Sequence, residues 1–233
     1  MNPRTINPFT YKKDFLYDKW QECIYNLSYD WKSEIVSDKW FSLLDEYYTR
    51  SENFFSTWSR VENSINAIME FCADTNKVSV NNEDLLVFAS FFSYIDYDLT
   101  NCDNFLDSAI LANNCCLDLE IGNNDSKTVY SLLSNLDYKF VYESESNIIY
   151  KVFRDTNLIW NAVNSGNYFT LIERMRNETK MSDELWKKFR LFSAKEMLES
   201  QPVMHTDYFF YSYSEQIQNN LLDEINSLSK ITV

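Results

Sequence analysis

The chain has 233 residues, 45% of them hydrophobic and 17% aromatic, with 35 acidic and 21 basic side chains and a net charge of −14. A chain of this length and apolar content can bury roughly 70% of its unfolded surface, which sets it apart from charge-rich disordered sequences. Its two glycines, Gly122 and Gly166, exclude a glycine-rich phosphate loop, and its single histidine, His205, excludes any metal site that needs several histidines.

Residues 1–13 lack the apolar core of a secretory signal. Helical spacing then begins. Leu16, Trp20, Cys23 or Ile24, and Leu27 form one apolar stripe, and Ile35, Trp40, Leu43 or Leu44, and Tyr47 form the next. Phe54, Trp58, Val61, Ile65, Ile68 or Met69, and Cys72 alternate steps of three and four and predict a long amphipathic helix. Residues 85–95 are uncharged, too short to span a bilayer, and read as a buried helix capped by Asn82. Thr100 and Asp103 have the spacing of a capping box for a helix that carries Phe105, Leu106, Ile110 and Leu117.

The pattern changes at Gly122. Residues 127–136 predict a short helix, and residues 138–153 alternate as a small antiparallel β-hairpin around a polar turn at 144–147. Helices return over 156–165, ending at Gly166, over 167–177, and over 182–199 behind Ser182. A last helix over 207–229 places Phe210, Ile217, Leu221, Ile225 and Leu228 on its inner side. The expected fold is mainly α, with about nine helices and one hairpin in one or two packed lobes. Residues 1–120 form an acidic helical region and residues 121–233 a helix–hairpin–helix region.

Charge is the most uneven property of the sequence. Residues 81–125 contain Glu83, Asp84, Asp96, Asp98, Asp103, Asp107, Asp118, Glu120 and Asp125 and no lysine or arginine, so most of the net charge falls in this window. An opposite pole lies at Arg174, Arg176, Lys180, Lys187, Lys188, Arg190 and Lys195; it could bind phosphate or RNA, and is read first as a solvated helix face that also pairs with the protein's own acidic region. A pI near 4.5 opposes nucleic acid as the main ligand. The helix–hairpin outline suggests a winged helix, yet its helix has only Lys127 and lacks the basic groups that meet DNA.

Candidate chemistry is sparse. Asp96, Asp98 and Asp103 offer oxygen ligands to a hard cation, but the glycine of an EF-hand loop is missing and helix starts explain the acids as well. His205, near Asp207, would need a nucleophile such as Cys23 or Cys72, and no nucleophile-elbow motif is present. Five cysteines, two of them adjacent at Cys115 and Cys116, show no disulfide framework and point to a reducing cytoplasm. Sequons at Asn26, Asn124 and Asn177 are no more frequent than asparagine content explains. Scarce glycine and proline beside abundant asparagine, isoleucine and lysine suggests an AT-rich coding source such as a phage, virus or low-GC bacterium.

These residues together predict a binding protein without a cofactor, metal or catalytic group. It occludes a basic, nucleic-acid-handling partner by nucleic-acid mimicry, as a counter-defence inhibitor does. The contacting groups are Glu83, Asp84, Asp96, Asp98, Asp103, Asp107, Asp118 and Glu120, with Tyr208 and Tyr211 as aromatic anchors. The competing classes are an immunity protein for a basic toxin, a carboxylate- or metal-dependent hydrolase, and an oligomeric structural or adaptor subunit. A membrane role is not expected.

Overall fold

A computed structural model describes residues 6–28, 34–95, 104–136, 147–179, 181–199 and 202–230. In chain order the helices are α1 (Lys13–Leu27), α2 (Glu34–Tyr48), α3 (Trp58–Thr75), α4 (Val80–Ser90), α5 (Asn104–Asp118) and α6 (Asn123–Ser134). They continue with α7 (Ile148–Leu158), which runs into a 3-10 turn (Ile159–Ala162), then α8 (Ser165–Glu178), α9 (Asp183–Glu199) and α10 (Asp207–Lys230). The mainly-α expectation holds, and among the described residues no strand occurs beyond one isolated antiparallel bridge, Ser28 to Ile121.

The all-apolar run at 85–95 organises the first half. Every residue from Asp84 to Ile95 is buried, because α4 lies among α1, α3, α6 and α7 and has no solvent side for polar residues to occupy. Trp20 of α1, fully buried, packs on Phe88 at 5.5 Å and Phe91 at 5.3 Å, and its indole N–H donates to the Ser37 carbonyl and hydroxyl oxygens. Trp58 opens α3 against Phe41 at 5.5 Å and Tyr48 at 4.5 Å, and its N–H donates to Asp45. These rings supply rigid, large-area contacts with their polar edges satisfied.

Two buried carboxylates join the second half. Asp155 of α7, with no solvent exposure, accepts hydrogen bonds from His205 N–H, Thr206 N–H and Thr206 Oγ1–H, each at 2.8 Å, and so fixes the chain where α10 begins. Glu224 of α10 receives Arg190 Nε and Nη2 of α9, both at 2.8 Å, and the Tyr168 hydroxyl of α8 at 2.6 Å. Buried side chains from Ile6 to Leu221 form one apolar cluster that crosses Gly122 without interruption.

Several expectations are corrected. The second half of the proposed hairpin is the helix α7: Asn147 caps it by accepting from Ile149 N–H, and Ile149, Val152 and Phe153 are buried at helical spacing. Its first half, 138–146, lies outside the described residues, and the winged-helix outline loses its support. Helix α4 is capped by Ser79, whose hydroxyl accepts from Asn82 N–H, so Asn82 lies inside the helix. Gly166 lies in the first turn of α8, which Asn164 caps, and does not end a helix. Phe54 precedes α3, and Ile35 is 85% exposed. On α10 the buried rings are Phe209 and Tyr213, with Phe210 turned outward. On α5 the buried face is Ser108, Ala109, Ala112, Cys115 and Cys116, while Leu106, Ile110 and Leu117 face solvent.

Candidate functional site

The turn between α3 and α4 sets the geometry. Asn76, in the left-handed region at φ 53°, closes α3 with its N–H bonded to Cys72 carbonyl oxygen, and Ser79 then starts α4 at once. Asparagine tolerates this conformation better than most side chains, so the reversal is short. It sets Glu83 in the first turn of α4 against Cys72 of α3 and leaves Asp84 facing Asn26 and Glu22 of α1. Both carboxyl groups are held above the usual carboxylate range. For Glu83 burial is the main cause, followed by the charges of Asp84 and Glu22; for Asp84 burial leads again, Glu22 adds to it, and the Asn26 amide opposes it. Lys19 is the cation that acts on both, and it is already paired with Glu22 at 2.5 Å.

A second group of acids adjoins through the α5–α6 junction. Ser28, at the end of α1, donates its hydroxyl to Leu119 carbonyl oxygen at 2.7 Å and bridges to Ile121. Asp118 accepts from Trp40 N–H at 3.1 Å, and Asp125, in the first turn of α6, accepts from the Asn81 amide of α4 at 3.4 Å. Between them Glu120 sits at φ 53°, where the Ile121 N–H closes back on Cys116 carbonyl oxygen. Glycine is the residue this position favours, and an exposed glutamate there costs about 1 kcal/mol of backbone strain.

The aromatic anchors are divided. Tyr208 is half-buried, packs on Phe71 at 5.4 Å and donates its hydroxyl to Asp74 of α3 at 3.1 Å; it therefore borders the acidic end through the last turns of α3. Burial pushes its phenol up to about 12, with the Asp74 hydrogen bond adding to the shift. Tyr211 is 84% exposed on the same helix, beside Phe210.

The structure thus brings Glu83, Asp84, Asp118, Glu120 and Asp125 round the C-terminal half of α1. Asp84 is 9% exposed and corrects the expectation of a contacting surface group: it shapes the charge of this end from beneath. Asp107 lies eleven residues before Asp118 on α5, about three turns away along the same face. Asp96, Asp98 and Asp103 lie outside the described residues. Among the described residues Glu83, Asp84, Asp118, Glu120 and Asp125 enter no ion pair, and neither does the exposed Lys77 of the α3–α4 loop. The basic segment pairs elsewhere: Arg176 with Asp183, Lys188 with Glu184, and Arg190 with Glu224 in the core. Sequence reasoning missed Glu22, which lies 61 residues before Glu83 and joins it through the α1–α4 contact.

Other chemistry finds little support in the described geometry. The thiols of Cys23 and Cys115 are held well above their ordinary value by burial, and those of Cys72 and Cys116 are pushed up to about 12, again chiefly by burial. None can act as a thiolate near neutral pH. Burial, with Arg154 and Lys151 nearby, lowers the His205 imidazole to about 4, which suits a poor base. Among the described residues no three His, Cys, Asp or Glu side chains are grouped to hold a metal, and no helix is long and apolar enough to cross a membrane. No protein-family model matches the chain, and no curated protein is significantly similar to it.

Proposed function

We propose that the chain is a binding protein whose acidic end occupies a cationic surface on a nucleic-acid-handling partner, as an inhibitor or immunity protein would. The observation that carries this reading is the approach of Glu22, Glu83 and Asp84 at the α1–α4 contact, where Lys19 is the cation that acts on Glu83 and Asp84, beside an α5–α6 junction that carries Asp118, Glu120 and Asp125 and is tied to α1 by Ser28 and to α4 by Asn81. Like charges placed together raise one another's proton affinity and weaken the fold that holds them, a cost offset when a cationic partner arrives. Glu83 and Asp125 sit in first helical turns, Glu22 within α1, and Asp118 and Glu120 at the α5–α6 junction, so their backbone positions are set before binding and little order is lost on contact. Partly exposed Tyr208 and exposed Tyr211 with Phe210 supply apolar area near one edge of that end. The partner class, a protein that otherwise holds phosphates, follows from the substitution of carboxylate for phosphate in front of lysine and arginine.

The test is capture of partners from the natural host over a salt series, with the parent and a Glu22→Gln, Glu83→Gln, Asp118→Asn, Asp125→Asn variant. The parent retains a basic protein that moderate salt releases, and the variant binds it at least tenfold more weakly. Equal retention by both forms removes the electrostatic mechanism.

A further inference from the structure

We propose that Arg60 holds a single monovalent anion of chloride size in a narrow cleft between α3, α7 and the 3-10 turn, a site separate from the acidic end. Arg60 is 6% exposed, and its guanidinium carbon lies 3.5 Å from the Tyr94 ring centroid, 3.9 Å from Phe55 and 5.3 Å from Trp160. Aromatic faces attract the cation, but a planar guanidinium directs its N–H groups along its own plane, where a ring stacked on its face cannot accept them. The Tyr94 side chain is hydrogen-bonded to the guanidinium, but Nε and Nη1 are buried and have no hydrogen-bond partner. A buried charge left without a counter-charge is among the costliest arrangements a fold can hold, and such orphaned donors mark the place of a missing water or ion.

The guanidinium lines a cleft walled by Ile6, Pro8, Tyr94, Trp160 and Leu171, in which the space open to the centre of a water-sized sphere is about 10 Å³. That accommodates one water or one ion of similar radius and nothing larger. Neighbouring donors are already committed: the Asn63 amide to the Asn7 and Ser59 carbonyl oxygens, Ser64 to Thr156 carbonyl oxygen, Tyr94 to Asn157 carbonyl oxygen. The unmet demand at the cleft is therefore a full positive charge with two free donors, which an anion meets in charge as well as in hydrogen bonds, whereas a water meets only the second.

Unfolding is followed in sodium chloride and in sodium gluconate at matched ionic strength, gluconate being too large for the cleft. Above the dissociation constant each tenfold rise in chloride lowers the unfolding constant of the parent about tenfold, and gluconate does not. In Arg60→Met the two salts give equal stability. The second measurement needs no variant: the chloride-35 resonance is broadened by the folded parent, saturates at one ion per chain, and sharpens when urea unfolds the chain. Equal stability of the parent in both salts, a chloride effect that survives Arg60→Met, or a resonance that stays sharp would each overturn the proposal.

Discussion

Asp155 offers a quantitative test of how α7 is tied to the start of α10. Burial raises its carboxyl from 3.8 to about 6, against the pull of the His205 and Thr206 donors. Folded Asp155 thus binds a proton more tightly than unfolded Asp155, so its contribution to stability is fully present below pH 3.8 and is lost as pH rises through 6. A shift of that size is worth about 3 kcal/mol, and about 2 kcal/mol of it falls between pH 4 and pH 7. His205 has the opposite sign: lowered from 6.5 to about 4, it stabilises the fold above 6.5 and loses that contribution as pH falls through 4. Its magnitude is smaller, because part of the ring meets solvent. The two groups partly cancel in the parent. In Asp155→Asn only the histidine remains, so the penalty of the substitution, measured by urea unfolding at half-unit steps, shrinks by about 2 kcal/mol from pH 4 to pH 7. His205→Gln steepens the loss of stability with rising pH over the same range. A penalty for Asp155→Asn that is constant across this window, or that grows with pH, would refute the assignment of a buried, charge-resisting carboxylate.

Two further outcomes follow from single residues. Glu224→Ala leaves Arg190 buried at 5% exposure without its counter-charge and is expected to cost about 3–5 kcal/mol by denaturant unfolding; a loss under about 1 kcal/mol would show that solvent reaches the pair. Glu120→Gly relieves the left-handed strain at φ 53° and is expected to raise stability by about 1 kcal/mol while weakening binding of the cationic partner; a destabilised variant would contradict the strain.

What the sequence disclosed and what it concealed divide along physical lines. The stripe Leu16, Trp20, Cys23, Leu27 was readable because one face of α1 is packed and the other wet, so the periodicity survives in the letters. The run at 85–95 was readable for the opposite reason, since from Asp84 onward α4 has no wet face. On α5 the same logic inverted the helix, because its core side is made of alanines and cysteines that bring it close to α6, while the bulkier Leu106, Ile110 and Leu117 lie outside. Consecutive rings at Tyr208, Phe209, Phe210 and Tyr211 left the inner face of α10 undecided by about one residue, or 100°. Residues 147–153 are rich in β-formers, yet tertiary packing of Ile149, Val152 and Phe153 outweighs a propensity worth a few tenths of a kcal/mol per residue. The acidic window was visible as composition, but its depth was not: that Asp84 is buried and Glu22 present depends on how α1 crosses α4, which no local pattern records.

The central claim, that the surface potential is concentrated at one end, is tested most directly by titrating the labelled protein with a short oligolysine and following backbone amide shifts. The account predicts saturable, salt-sensitive shifts confined to residues 19–28, 70–84 and 118–125. Shifts distributed evenly over the acidic residues of all ten helices, or centred on Asp223 and Glu215 of α10, would contradict it.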